Sequence, residues 1–146
     1  RDKHVTGVQT CALPILSTAD FVTLHIPLTQ ETRHFIGERE LRLMKPTAIL
    51  INAARGAVVD SRALYTALKE GWISGAALDV TDPEPILPDD PLLTLDNLVI
   101  TPHIGSASID SRRRTCLLAA RNVVAGIQGR RLEACANPEV YAAKGI

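Results

Sequence analysis

The strongest constraint on the fold is a series of short apolar runs, separated by helical patterns and polar loops. The runs are rich in β-branched, leucine and alanine residues, and they occupy residues 21–25, 47–51, 75–78 and 97–100. Strands that are apolar on both faces are typical of a parallel sheet covered by helices. The alternation of strand and helix therefore predicts an α/β fold, with a parallel sheet of about four strands and right-handed crossover helices.

Helical patterns fill the intervals between these strands. A short helix is predicted over 37–44, and Pro46 ends it. A second helix is predicted to begin at Asp60 or Ser61, either of which can cap it, and to reach Glu70. Each of these helices can connect two successive parallel strands.

A long C-terminal helix is predicted from about Ser108 to Gln128. Apolar residues recur along it at helical spacing and predict a buried stripe, which consists of Cys116, Ala120, Val123, Val124 and Ile127. Cys116 is accordingly interpreted as a buried thiol. The three cysteines of the chain form no CxxC motif, which favours reduced thiols and a cytoplasmic setting.

Size and charge exclude several classes of function. A chain of 146 residues has room for one domain with a real core. Lys and Arg total 16, as do Asp and Glu, so the net charge is zero. No basic cluster indicates a nucleic-acid or membrane-surface partner, and no apolar run approaches the ~20 residues that span a bilayer. We therefore expect neither nucleic acid nor membrane as a partner.

The N-terminal segment has a different character from the rest. Residues 1–16 have neither a sustained helical period nor a strand period, and they lack the pattern of a signal peptide. The stretch 5–15 resembles a translated sequencing adapter. We predict that residues 1–16 are a non-native or disordered leader, and that the native domain occupies residues 17–146.

Polar residues whose side chains can bind a ligand or transfer a proton follow three of the four strands. Arg55 comes soon after the second strand, Asp79 and Glu84 follow the third, and His103 follows the fourth. The carboxyl ends of parallel strands meet at one edge of the sheet, which is where such folds bind ligands. An arginine that can hold a carboxylate, a histidine that can move a proton and an acid that can orient the histidine predict chemistry on a small acid.

Each of these residues also has a structural alternative. Arg55 can cover a turn or pair with Asp60, and His103 alone is more often structural. Glu84 lies in a proline-rich loop with other acids, where surface solvation is the common role. Asp79 can accept a hydrogen bond from a ligand amide or cap the loop backbone.

Several motifs are missing from the sequence. No spacing of His, Cys, Asp and Glu indicates a metal site, and Gly-x-Ser-x-Gly does not occur. None of the nine glycines forms the Gly-x-Gly-x-x-Gly turn that binds a dinucleotide pyrophosphate.

From Ala19 to about Tyr141 the chain resembles the C-terminal part of the D-isomer-specific 2-hydroxyacid dehydrogenases. Four blocks carry the resemblance: His-Ile-Pro-Leu-Thr at 25–29, Ile-Asn-Ala-Ala-Arg-Gly-Ala-Val-Val-Asp at 51–60, Ala-Leu-Asp-Val-Thr-Asp-Pro-Glu-Pro at 77–85 and Thr-Pro-His-Ile-Gly-Ser-Ala at 101–107. The segment 117–126 is most similar to the glyoxylate/hydroxypyruvate reductase branch. The resemblance implies a partial Rossmann-like sheet, the C-terminal half of a dinucleotide-binding domain, followed by the long helix.

The resemblance also implies roles for particular residues. Arg55 would hold the carboxylate and carbonyl of the substrate, His103 would be the general acid and base, and Glu84 would favour the protonated form of His103. Contacts to NAD or NADP would come from these and several neighbouring residues: Ile26, Pro27, Ala53, Ala54, Arg55, Asp79, His103 and Gly105. The implied reaction is reduction of glyoxylate or hydroxypyruvate to the D-2-hydroxy acid.

The chain departs from the family by lacking a substrate domain and the glycine-rich phosphate turn. We therefore interpret it as a truncated piece with little activity of its own, which in an intact protein would form a homodimer. Two alternatives stay open. One is a dehydrogenase-like corepressor that senses NAD, and the other is a sister enzyme such as phosphoglycerate or D-lactate dehydrogenase. The choice between NAD and NADP is also open.

Overall fold

The computed structural model describes residues 14–145, which fall into two compact units. The units divide between His103 and Ile104. The first contains the sheet and its helices, and the second contains the long helix and the segment that follows it.

The first unit is built on a four-stranded parallel sheet with the strand order β1-β2-β3-β4. Leu24 lies opposite Asn52, Asn52 opposite Leu78, and Leu78 opposite Ile100. Because these pairs lie at the ends of the strands, the four following loops leave the sheet at the same edge. The strands are β1 (Phe21–Leu24), β2 (Ile49–Asn52), β3 (Gly75–Leu78) and β4 (Leu98–Ile100). The predicted parallel α/β fold is confirmed.

Two α-helices and two 3₁₀ helices connect these strands. Asp60 caps α2, because its side chain accepts hydrogen bonds from the backbone N–H groups of Arg62 and Ala63. This settles the choice between Asp60 and Ser61 as the cap. The elements are α1 (Glu38–Leu43), a 3₁₀ helix (Gly56–Val58), α2 (Ser61–Lys69) and a second 3₁₀ helix (Pro91–Thr94).

The core of the first unit lies between the sheet and these helices. Leu41 of α1, Leu50 of β2 and Leu64 of α2 are fully buried and belong to one apolar cluster. Of the residues that the structure describes, Asn52 is the only polar one that is buried. Its side chain is hydrogen-bonded to the following loop through both its amide nitrogen and its oxygen, which offsets the cost of burying an amide.

The described part of the predicted leader packs with the domain. Residues 14–18 are helical, and Leu16 is buried in the core of the first unit. The remainder of the leader, residues 1–13, lies outside the described residues. Within 14–145, no helix is long and apolar enough to cross a membrane.

The second unit contains α3 (Ile109–Ile127) and a short C-terminal helix, α4 (Val140–Lys144). The predicted buried stripe on α3 is wrong: Cys116 is exposed, and so are Ala120, Val123, Val124 and Ile127.

The covered face of α3 is a different one. Leu118, Asn122 and Ala125 are its least exposed residues. The reason is that the chain folds back after α3, and the Asn122 side chain exchanges hydrogen bonds of 3.0 and 3.3 Å with the backbone of Ala134. Leu118 lies two positions after Cys116, about 200° around the helix.

Candidate active site

Glu84 and His103 form a hydrogen-bonded pair at the carboxyl edge of the sheet. His103 lies just beyond β4, and Glu84 lies in the loop after β3. The distance from His103 Nδ1 to Glu84 Oε1 is 2.7 Å. A carboxylate on Nδ1 fixes the ring orientation and directs Nε2 away from the acid. The side chains are 48% and 42% exposed, so the pair remains open to a ligand.

The loop that carries Glu84 is held by contacts of its own. The Thr81 hydroxyl donates a hydrogen bond to the Pro83 carbonyl at 2.8 Å. At the exposed side of the loop, Arg33 lies 3.4 Å from the carboxylate of Asp82. These contacts and the proline rings limit the conformations that the Glu84 backbone can adopt.

A cleft of about 450 Å³ lies beside the Glu84–His103 pair. Its lining includes Asp79 and Glu84 from the loop after β3, together with Thr101 and His103 from the end of β4. Two carboxylates, a hydroxyl and an imidazole therefore border the same space. Such a combination is typical of ligand sites at the carboxyl end of a parallel sheet.

Asp79 is fixed within this cleft by Thr101. The Thr101 hydroxyl donates a hydrogen bond to Asp79 Oδ1 at 2.5 Å. The Asp79 backbone N–H donates to the Asn52 carbonyl at 2.9 Å. The structure thus holds Asp79 through both its backbone and its side chain.

Arg55 has a different placement from Glu84 and His103. It follows β2 at the same edge of the sheet, but it is not among the residues that line the cleft. Its guanidinium donates a hydrogen bond to the Ala54 carbonyl at 2.7 Å. The structure therefore brings Glu84, His103 and Asp79 together and leaves Arg55 directed to its own loop.

Two features of the loop after β2 determine where Arg55 can lie. The Asn52 amide donates to the Arg55 carbonyl at 2.9 Å, and its oxygen accepts from the Ala54 N–H at 3.1 Å. At Gly56, an added Cβ would lie 2.0 Å from the carbonyl oxygen of Thr81. The loops after β2 and β3 are therefore in direct backbone contact.

The other residues predicted to bind cofactor lie on several loops. Ile26 and Pro27 follow β1, where the Pro27 carbonyl accepts a hydrogen bond from Thr32 at 2.7 Å. Ala53 is exposed and Ala54 is buried. Gly105 is exposed and belongs to the second unit.

Thr101 and Asn52 are site residues to which the sequence analysis assigned no role. A threonine at the end of an apolar strand carries no signal for a hydrogen bond to an acid 22 positions away. Asn52 could have been noticed, because an amide at the end of a buried strand needs hydrogen-bonding partners. Among the described residues, no group of three or more His, Cys, Asp and Glu side chains could hold a metal ion.

A parallel sheet with an acid–histidine pair and a cleft at its carboxyl edge is typical of α/β domains that bind ligands at the ends of their strands. Residues 2–105 match the family described as D-isomer specific 2-hydroxyacid dehydrogenase, NAD binding domain. The chain belongs to this family.

Individual relatives agree with this assignment. The chain is 58% identical over 115 residues to a glyoxylate reductase of Korarchaeum cryptofilum, covering 79% of this chain and 35% of that protein. It is 55% identical over 126 residues to a glyoxylate reductase of Thermofilum pendens, covering 86% of this chain and 37% of the relative. The chain therefore spans little more than a third of the length of these curated relatives.

Solved structures show the same fold. The TT0316 protein of Thermus thermophilus superposes with a TM-score of 0.80 at 50% identity, over 83% of this chain and 39% of that one. A D-lactate dehydrogenase of Lactobacillus jensenii with NAD⁺ gives a TM-score of 0.77 at 33% identity, over 83% and 40%. A glyoxylate/hydroxypyruvate reductase of Sinorhizobium meliloti with NADP and malonate gives 0.72 at 35% identity, over 77% and 35%.

Proposed function

We propose that this chain is the C-terminal half of the dinucleotide-binding domain of a reductase. The reductase would use NADH or NADPH to convert a small 2-keto acid, glyoxylate or hydroxypyruvate, to the D-2-hydroxy acid. The observation that carries the proposal is the Glu84–His103 pair at 2.7 Å, which borders a cleft at the carboxyl edge of the sheet.

His103 is the proposed general acid. Reduction of a keto group generates an alkoxide, which must receive a proton. Protonated imidazole can donate that proton from Nε2 while Nδ1 remains bonded to the Glu84 carboxylate. The Glu84 carboxylate holds the Nδ1 side of the ring, so Nε2 is the ring atom that would face the substrate.

Arg55 is the proposed partner of the substrate carboxylate. A guanidinium can donate two parallel hydrogen bonds to a carboxylate and can stabilise a developing alkoxide. Its bond to the Ala54 carbonyl is a contact with a neutral group of its own loop. A carboxylate is a stronger acceptor, and substrate binding would draw the guanidinium away from that carbonyl.

The residues around the cleft fit a nicotinamide ring. Asp79 offers a carboxylate acceptor for the carboxamide N–H, and His103 lies on the same cleft. Ile26, Pro27, Ala53 and Ala54 complete the contacts that we propose from the first unit to the nicotinamide and its ribose. Gly105, which belongs to the second unit, is proposed from the family resemblance alone. When bound, the reduced nicotinamide supplies the hydride. The chain's own residues position the substrate and move the proton.

The rest of the proposal concerns the intact protein. The relatives are almost three times as long as the matched segment, which supports a substrate domain and a phosphate-binding turn elsewhere in the protein. We place the intact enzyme in the cytoplasm as a homodimer. The Korarchaeum cryptofilum glyoxylate reductase is 58% identical to this chain and the Lactobacillus jensenii D-lactate dehydrogenase 33%, which favours the first substrate class.

A hybrid enzyme tests the function. In it, residues 19–141 of this chain replace the matching segment of the Thermofilum pendens glyoxylate reductase. We expect the hybrid to reduce glyoxylate and hydroxypyruvate with NADH or NADPH, as followed by loss of nicotinamide absorbance. A folded hybrid that binds cofactor but reduces neither acid would contradict the proposed reaction and favour an NAD-sensing corepressor.

Two histidines provide a matched pair of variants for the proton-transfer step. His103 and His34 both adopt positive φ angles, 53° and 52°, and asparagine tolerates this region of backbone space. We expect H103N to lower kcat of the hybrid by roughly 10²- to 10⁴-fold and H34N to leave kcat near that of the hybrid. Equal kcat values for the two variants would exclude His103 as the general acid.

A further inference from the structure

Thr101 is tied to three parts of the cleft at once. Its backbone N–H donates to the Leu78 carbonyl at 2.9 Å, and its own carbonyl accepts from the His103 N–H at 3.0 Å. Its hydroxyl donates to Asp79 Oδ1 at 2.5 Å. Thr101 is therefore held by the sheet on one side and joins the Asp79 carboxylate to the His103 backbone on the other.

The bond between Thr101 and Asp79 restricts the carboxylate. An aspartate at a strand end can rotate about two side-chain torsions, and each rotation moves the oxygens that a ligand would meet. The Thr101 hydroxyl is part-buried and belongs to a β-branched residue with few rotamers. It can therefore hold Asp79 in one orientation before any ligand arrives, which reduces the entropy lost on binding.

We propose that Thr101 is a positioning residue, which aims the Asp79 carboxylate at the carboxamide N–H of the nicotinamide. This inference rests on the proposed function and deepens it, because it names the group that makes Asp79 selective for a ligand with an amide donor. Thr101 acts through Asp79 and takes no part in proton transfer.

The test compares two cofactors in the hybrid enzyme and its Thr101→Val variant. Valine keeps the shape of threonine and removes the hydroxyl. Binding of NADH and of reduced 3-acetylpyridine adenine dinucleotide, which has a methyl group in place of the amide nitrogen, is measured by fluorescence titration. We expect T101V to weaken NADH binding about tenfold, as loss of a hydrogen bond to a charged group implies. Binding of the acetylpyridine analogue should change little, because that analogue has no N–H to donate to Asp79.

A double-mutant cycle and two controls complete the experiment. In a D79A background, T101V should have no further effect on NADH binding, since its partner is gone. Thr101→Ser keeps the hydroxyl and should restore most of the affinity. Thr94→Val is a matched control, because the Thr94 hydroxyl bonds to the Pro91 carbonyl at 2.7 Å and Thr94 does not line the cleft.

The outcomes separate this inference from the proposed function. Equal losses for the two cofactors in T101V, or additive losses in T101V/D79A, would overturn the role of Thr101 and leave the function standing. Failure of the hybrid itself to bind NADH and NADPH, with the parent enzyme as positive control, would contradict the function. A lower kcat with unchanged cofactor binding would show that Thr101 acts on His103 instead, which also overturns the inference.

Discussion

At the scale of single residues, the site depends on side chains that restrain one another in pairs. Glu84 orients His103, and Thr101 orients Asp79, at distances of 2.7 and 2.5 Å. In each pair a hydrogen bond fixes the group that would meet a ligand. The bond between Thr101 and Asp79 is part-buried and competes less with water than the exposed bond between Glu84 and His103 does.

The contribution of the Glu84 charge can be tested with a substitution that keeps the shape of the side chain. Glu84→Gln keeps the size of the side chain and a hydrogen-bonding oxygen, but it removes the negative charge beside the ring of His103. We expect kcat for reduction by the hybrid to fall roughly 10- to 100-fold, in line with the loss of a charge-assisted hydrogen bond. Steady-state assays at saturating substrate and cofactor measure this.

The matched control is Asp89→Asn. Asp89 is an exposed acid of the same proline-rich loop and does not line the cleft. Its substitution should leave kcat unchanged. A similar fall in both variants would mean that the overall charge of the loop, and not the bond to His103, sets the rate.

At the scale of secondary-structure elements, close contact between two loops brings the site together. The loop after β2 approaches the loop after β3 so closely that only glycine fits at position 56. Asn52 anchors the first loop from inside the core, and Thr81 lies at the contact in the second. Arg55 and Glu84 thus lie on loops that share a backbone contact.

Gly56→Ala tests this contact. The new Cβ would lie 2.0 Å from the carbonyl oxygen of Thr81, so one of the two loops must move. We expect the free energy of unfolding of the 146-residue chain to fall by about 1–3 kcal/mol, as in other overpacked sites. Chemical denaturation followed by circular dichroism measures it.

Gly37→Ala serves as the comparison. At Gly37 an added Cβ meets nothing closer than 3.6 Å, which is ordinary contact. The backbone there has a φ of −111°, which any residue can adopt. We expect little loss of stability. If G56A is no less stable than G37A, the two loops are not held against each other in solution.

At the scale of the whole molecule, the two units differ in how their apolar residues are used. In the first unit, the apolar residues of β2, α1 and α2 form a continuous buried cluster. In the second, α3 leaves Val123 and Ile127 at 61% and 82% exposure. Exposed apolar residues contribute little to stability, whereas buried ones account for most of it.

Substitutions in the two units should therefore have different effects on stability. Leu64→Ala removes a fully buried side chain of α2, and we expect a loss of about 2–5 kcal/mol. Ile127→Ser removes an exposed side chain of α3, and the expected change is within ~0.5 kcal/mol. Thermal and urea unfolding of the 146-residue chain measure both. A large loss in I127S would mean that α3 is covered in solution.

The sequence by itself determined the class of fold, because apolar runs and helical spacing are local patterns. It also placed Arg55, Asp79, Glu84 and His103 after three strands that end at the same edge, as the register confirms. The motif blocks were local as well, and they were sufficient to assign the chain to its dehydrogenase family. The roles of the individual residues stay predictions.

Tertiary structure alone decided which side chains meet. The bond between Thr101 and Asp79 joins residues 22 positions apart, and the approach of Gly56 to Thr81 depends on how two loops pack. The covered face of α3 was predicted wrongly for the same physical reason. Periodicity shows that a helix has an apolar face, but the chain that folds against the helix determines which face is buried.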